Sequence, residues 1–196
     1  MPEVQKKISK TGDKKMKTYS FEAIRKYLNK SPLDRPILRT IQRNKAGQQF
    51  ILDGFSAYIF KQNTPELDAL PQMGAGASAI GIEHIIPKAP AIKITDNDRK
   101  VLKRAHNYSK WLKSKGIDDY YHLIHIFGRV FNAQMIVQAI DILGKDFSEL
   151  TVYASENPNT PVHLTTTKID AVLLPVRTDG DEAKFQKRTE EFLEAA

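Results

Sequence analysis

Residues 131–177 read FNAQMIVQAIDILGKDFSELTVYASENPNTPVHLTTTKIDAVLLPVR, and this stretch decides the fold. Asn132 is a helix-capping residue, and Met135, Ile136, Ala139, Ile142 and Leu143 fall on one broad face at helical spacing. Three strands are predicted after the helix, at Leu150–Ser155, Pro161–Thr166 and Ile169–Val176. Asn157-Pro158-Asn159 and Lys168 supply the turns between them. The apolar run Tyr120–Val130 reads as one long strand leading into the helix. The order is therefore strand, helix, three strands.

That order recurs earlier in the chain. Lys17-Thr18-Tyr19 reads as a first strand, and Ser20 caps a helix to about Lys30 with Phe21, Ile24 and Leu28 as its apolar stripe. Lys26 and Lys30 lie on the opposite face, and Ser31-Pro32 ends the helix. Ile37–Arg43 alternates like a strand, Asn44-Lys45-Ala46-Gly47 makes a hairpin loop, and Gln49–Leu52 follows. Asp53-Gly54 is a two-residue turn signal, after which Phe55–Lys61 returns.

The predicted class is α+β, with residues 17–177 as a single domain. Its two strand–helix–three-strand units, 17–61 and 118–177, are joined by a connection over 62–117. Residues 1–16 form a Lys-rich arm without periodicity, expected to be disordered. Residues 178–196 form a helical extension, in which Asp181–Glu194 is an amphipathic helix anchored by Phe185 and Phe192. In the connection, Gln62–Ala79 reads as loop, while Ile80–Pro87 and Ala91–Thr95 read as short strands. Gly74-Ala75-Gly76 followed by Gly81 has the wrong spacing for a phosphate loop and suits a flexible link.

The whole chain has 196 residues, 41% hydrophobic and 27% charged, enough for an ordinary buried core. Its apolar runs are too short for a membrane span, and no apolar segment follows the basic N-terminus, so neither a membrane helix nor a secretory signal is expected. The absence of cysteine removes disulfides and thiolate zinc sites and fits a reducing cytoplasm.

The net charge of +7 is unevenly placed. Residues 1–17 carry +4, residues 98–115 carry +6, and the remainder is −3. Thr95 or Asp96 caps a helix from about Asp98 to Ser114 that Gly116 ends. Val101, Ala105, Tyr108 and Leu112 form its narrow apolar stripe, and Arg99, Lys100, Lys103, Lys110 and Lys113 spread over the opposite face. Two such concentrations predict a polyanionic partner, nucleic acid above all. Arg99, Lys100, Lys103, Arg104, Lys110 and Lys113 are the first candidates for phosphate contacts, with Lys26 and Lys30 second. The bland alternative is a solvated tail and a solvated helix face. Tyr108 and Trp111 interleave with these cations and could stack single-stranded bases, although Tyr108 belongs to the apolar stripe and so favours the core.

No catalytic constellation is visible. The histidines at 84, 106, 122, 125 and 163 are scattered, and His122 and His125, three apart in a strand, point to opposite faces. Asp96-Asn97-Asp98 lacks the glycine and terminal glutamate of a calcium loop and suits helix capping. Asp118-Asp119 has no partner carboxylate. The chain is therefore expected to be neither an enzyme nor a cofactor or metal carrier.

Phe131-Asn132-Ala133, the helix to Ile142-Leu143, Leu150-Thr-Val-Tyr153, Asn159-Thr-Pro-Val162 and Val172-Leu-Leu-Pro-Val-Arg177 together resemble the C-terminal domain of bacterial sliding clamps, the β subunit of DNA polymerase III. Phe50-Ile-Leu-Asp-Gly-Phe-Ser-Ala57 is similar to the strand–turn–strand of the clamp family's Thr-Asp-Gly motif. The likeness covers 17–61 and 118–177, roughly half the chain. It implies curved antiparallel sheets under two helices that touch DNA phosphates without reading bases, a contact suited to sliding. It also implies a peptide-binding pocket for replication proteins at Pro175, Val176 and Arg177, and self-association through sheet edges. Clamp rings use six domains whereas this chain holds one, and the helix after Asn132 shows Gln134, Gln138 and Asp141 outward with no cation. The expected function is a non-enzymatic, clamp-like duplex-DNA partner, a replication accessory or a mobile-element relative. The alternative is an interaction module or inhibitor that borrows the fold without binding DNA.

Overall fold

The computed structural model describes residues 20–30, 35–62, 64–74, 84, 86–117, 122–144 and 147–195. The expected arm at 1–16, the strand at Lys17–Tyr19, Ile80–Glu83, Ile85 and Asp118-Asp119 lie outside the described residues. Among the described residues the fold is α+β, with five α-helices, a seven-stranded antiparallel sheet and a two-stranded sheet.

The first helix, α1 (Phe21–Lys30), starts where Ser20 Oγ accepts the Ala23 N–H at 3.2 Å, and it buries Ile24, Tyr27 and Leu28. Three antiparallel strands follow: β1 (Gln42–Arg43), β2 (Gln49–Leu52) and β3 (Ser56–Phe60). The strand expected over Ile37–Arg43 is shorter than its alternation suggests. Pro36–Arg39 form a 3-10 turn with Pro36 in its first turn, because proline lacks the ladder N–H and its φ suits a helical start. Thr40 Oγ1 and Gln42 Nε2 both donate to the Ile37 carbonyl, at 2.9 and 3.1 Å, and hold that turn closed. The expected loop at 62–79 contains a short helix, α2 (Pro65–Asp68), that buries Leu67. Of the strand expected at Ala91–Thr95, only β4 (Ala91–Ile92) pairs.

The long helix α3 (Asp96–Ser114) follows, and then a second correction. Tyr120–Val130 is no single strand: β5 (Leu123–Ile126) and β6 (Arg129–Asn132) form a hairpin. Phe127 and Gly128 make the turn with φ of 55° and 67°, the doubly positive geometry of a two-residue hairpin. Positive φ at phenylalanine is strained, and the turn is pinned by Asp98 Oδ1, which accepts the Phe127 N–H at 2.7 Å. Then come α4 (Ala133–Leu143), β7 (Thr151–Tyr153), β8 (Val162–Thr165), β9 (Ile169–Leu173) and α5 (Glu182–Glu194). Asn132 caps α4, its side chain accepting the Gln134 N–H at 2.8 Å, and α5 buries Phe185 and Phe192 as expected.

A helix followed by a three-strand meander thus occurs twice, and the second and third strands of the two meanders correspond residue by residue. β2 and β8 are each four residues long, β3 and β9 each five, and the later strand of each pair starts 113 positions on (162 against 49, 169 against 56). The ladder registers match too, since Ile51 faces Tyr58 as Leu164 faces Ala171. The helix cores agree, with Ile24, Tyr27 and Leu28 standing against Ile136, Ala139 and Ile140. β3 and β9, the closing strands, pair antiparallel over five residues centred on Tyr58 and Ala171. Matching hydrogen bonds extend this seam at both ends, Lys61 N–H to Lys168 O and Leu174 N–H to Phe55 O, each 2.9 Å. The sheet order is β1-β2-β3-β9-β8-β7-β4.

The main core lies between the helices and one face of this sheet. A second cluster of Leu38, Phe50, Leu52, Ala57, Ile59 and Val172 covers part of the other face, which is why β2 and β3 are buried along their whole length. The β5–β6 hairpin is tied to the large sheet by Arg129, which is only 4% exposed. Its guanidinium donates to the carbonyls of Phe127, Ser155, Asn157 and Thr160, and its burial lowers its pKa. Arg129→Met keeps much of the volume but withdraws the guanidinium from all four carbonyls, of which Asn157 retains the Thr160 N–H and hydroxyl. Urea unfolding is expected to show a loss of about 3 kcal/mol with the slope unchanged.

Candidate nucleic-acid interface

The basic helix α3 is set by its first turn. Thr95 Oγ1 accepts the Asp98 N–H at 3.1 Å while Asp98 Oδ2 accepts the Thr95 N–H at 2.9 Å, a complete capping box. The run Asp96-Asn97-Asp98 therefore serves capping. Val101, Leu102, Ala105, Tyr108 and Leu112 are buried, so the helix lies with its apolar stripe in the main core.

Arg99, Lys103, His106, Lys110 and Lys113 recur at intervals of four, three, four and three, forming one row along the outer side of α3. All five are exposed, and among the described residues none of the four cations forms an ion pair. His106 Nε2 meets Asp141 Oδ1 on α4 at 2.9 Å, which sets the row beside the outer face of α4. That face carries Gln134, Val137, Gln138 and Asp141 and no cation. α4 packs against both α3 and α1, so it sits between them, with Lys26 and Lys30 exposed on α1. Lys26 lies 3.9 Å from Glu22, which Arg25 also approaches at 3.3 Å. The structure thus brings Arg99, Lys103, Lys110 and Lys113 into one row, with Lys100 exposed outside it and Lys26 and Lys30 beyond α4.

Arg104 has another task. Its two terminal nitrogens donate to the Leu193 and Phe192 carbonyls at 2.7 and 2.9 Å, and its guanidinium lies 4.5 Å over the Phe192 ring. A cation on the last carbonyls of a helix complements the helix dipole, and here it fastens α5 to α3. The aromatics are likewise structural. Tyr108 is fully buried and donates to the Leu123 carbonyl, and its ring stacks on half-buried Trp111 and meets Phe192 edge-on. Neither ring forms a base-stacking platform with the cation row.

Pro175 and Val176 are half-buried and Arg177 is exposed, on a segment where Val176 N–H donates to the Val130 carbonyl. Next to them stand two exposed large hydrophobics, Phe55 at 66% and Leu174 at 38%, on backbones joined by the seam's terminal hydrogen bond.

The histidines do not converge. His84 is exposed, and His122 binds Ser109 Oγ from a backbone of φ 43° just before β5. His125 faces a cavity of about 310 Å³ lined by Asp98, Gln186, Thr189 and Glu190. Its burial lowers its pKa against the opposing pull of Asp98, Glu190 and Glu182. Among the described residues no three metal-ligating side chains gather. The sequence reading missed one polar cluster, on the far face of the large sheet. Asp170 Oδ1 binds Lys61 Nζ at 3.1 Å and His163 Nε2 at 3.0 Å, and Tyr153 stacks on His163. Strand alternation puts His163, Thr165 and Asp170 on one face, but pairing β3 with β9 was needed to add Lys61.

No family model matches this chain, and neither a curated protein nor a solved structure matches it. Among the described residues no helix is long and apolar enough to cross a membrane.

Two outcomes test these assignments. Arg104→Ala is expected to cost about 2 kcal/mol in urea unfolding, because it removes two charge-assisted hydrogen bonds at the end of α5. Asp170 feels burial pushing its pKa up, but the hydrogen bonds of His163, Thr165 and Lys61 outweigh it and hold the carboxyl below its usual range. The unfolded state therefore takes up this proton first, so the stabilisation is present above the ordinary carboxylate range and is lost as pH falls through it. Asp170→Asn should lower the urea midpoint at pH 6 and flatten its decline between about pH 5 and 3. A decline as steep as in the parent would show that Asp170 is not its source.

Proposed function

We propose that this protein is a non-enzymatic, clamp-like DNA-associated protein that rests on the phosphate backbone of duplex DNA without reading bases. The observation that carries the reading is the exposed row Arg99, Lys103, Lys110 and Lys113, which no carboxylate among the described residues neutralises. Cations on a rigid helix, anchored by a capping box and a buried stripe, suit phosphates, which are regularly spaced and carry no sequence information. The clamp-like part of the reading draws on the doubled helix-and-meander unit and its central two-fold seam. In a clamp-type arrangement α1 and α4 would face the duplex. Here α4 is uncharged but for Asp141, and the added helix α3 supplies the charge beside it. A single such domain acting in the cytoplasm fits a replication accessory or a mobile-element relative better than the replicative ring.

The test is fluorescence anisotropy with a random-sequence duplex across a salt series. Four phosphate contacts correspond to a slope of log K against log salt of roughly −3.6. Lys103→Glu/Lys110→Glu/Lys113→Glu should reduce that slope by about 2.7 and remove binding at ordinary salt. No binding by the parent even at low salt would sink the proposal.

A second reading is an interaction module without DNA binding, and Phe55 with Leu174 favours it. The pair is exposed and apolar, and it adjoins Pro175, Val176 and Arg177, the segment where a clamp-type peptide pocket would lie. A short apolar peptide of a replication protein would fit there. A parent protein that ignores DNA yet captures such a peptide, with capture lost in Phe55→Ser/Leu174→Ser, would establish this reading over the first.

A further inference from the structure

The row on the outer side of α3 has five members, and His106 stands at its centre, three positions after Lys103 and four before Lys110. Those lysines flank it on the same face, one helical turn to either side. Arginine and lysine keep their charge throughout the neutral range, whereas histidine gains or loses a proton between about pH 5 and 8. His106 is thus the one member of the row whose charge depends on pH there.

A single side chain among the described residues fixes the His106 ring. Its Nε2 lies 2.9 Å from Asp141 Oδ1 on α4, and the two side chains are 43% and 42% exposed. An ionised carboxylate only accepts hydrogen bonds, so Nε2 carries the hydrogen and Nδ1 is the unprotonated nitrogen of the neutral ring. A second proton therefore adds at Nδ1, across the ring from Asp141. Asp141 is the one charged residue of α4. With a neutral ring the pair sets one negative charge beside Lys103 and Lys110. With a protonated ring the pair is neutral and offers a second N–H donor.

The other neighbours of α3 do not reach this ring. α5 and β5 meet α3 through Arg104 and Tyr108, each two positions from His106 and so about 200° round the helix. The titratable groups by which they face α3 are His125 and Glu190, beside Asp98 and Val101, and Glu191 and Glu194, beside Trp111 and Lys115. The groups that face His106 are therefore Asp141 from α4 and the row's own lysines.

We propose that His106 is a pH-dependent fifth phosphate contact of the row: once protonated, it donates through Nδ1 to a phosphate oxygen while Asp141 holds its Nε2–H. The inference rests on the duplex-DNA reading above and adds the regulation of that surface. Binding then takes up a proton, so by linkage affinity rises as pH falls and weakens as pH rises through the histidine range. A row of arginine and lysine alone has no such dependence.

Anisotropy with the random-sequence duplex at about pH 8 and about pH 5.5, at constant ionic strength, tests the proposal. The parent should bind about fivefold more tightly at the lower pH, the worth of one exposed ion contact. Its slope of log K against log salt should steepen there by about 0.9. His106→Gln keeps an N–H for Asp141 but cannot gain a proton, so its affinity ratio between the two pH values should fall to about one. His106→Arg carries a fixed charge and should give the same flat ratio, with tighter binding than the parent at about pH 8. A parent that binds equally well at both pH values, or a His106→Gln variant that keeps the parent's pH dependence, would overturn the proposal and leave the DNA reading standing. A parent that binds at neither pH, even at low salt, would remove both.

Discussion

The antiparallel seam between β3 and β9 is the constraint on which the molecule depends. Each meander alone is a three-stranded sheet with one helix to cover it, and it is too small to bury an apolar face fully. Joining the closing strands makes one continuous sheet, and the two helices then share a core that contains Tyr58 from one half and Ala171 from the other. The seam also fixes which residues face the helices in both halves, because a slip of one position would invert every side chain. Phe60 and Ile169 would then leave the main core, and Ile59 and Asp170 would enter it.

The two halves share geometry and differ in what they expose. On the far face of the sheet, positions filled by Phe50, Leu52 and Ala57 in the first half are filled by His163, Thr165 and Asp170 in the second. The first set is covered by the Leu38 cluster, and the second forms the ion-paired patch with Lys61. Backbone register is thus conserved between the copies where side-chain chemistry is not, which is consistent with a ladder built from main-chain hydrogen bonds.

The inserted helix α3 has been given both structural and surface roles. Asp98 closes its first turn and pins the strained turn of the β5–β6 hairpin, and Arg104 fastens the end of α5. These two charged residues are spent inside the protein. The charge left at the surface is the outer row, which the rigidity of the same helix holds at regular spacing.

Much of this was legible in the chain. Ser20, Thr95 and Asn132 mark three helix starts through a side-chain oxygen that answers an orphan N–H, and Asp53-Gly54 marks a hairpin. Alternation and helical spacing located α1, α3, α4, α5 and most strands, because burial on one face leaves a period in the sequence. The turn at Phe127-Gly128 was hidden because phenylalanine rarely takes positive φ, and only Asp98, distant in sequence, makes it tolerable. Arg104 resembled its exposed neighbours until α5 arrived to claim it, and Arg129 gave no sign of its four carbonyl partners. The sequence by itself determined the helices, the order of strands and the supply of positive charge, since these follow from local propensity and composition. Only the tertiary structure decided which cations stay free and how the halves join, since those depend on contacts between residues far apart in the chain.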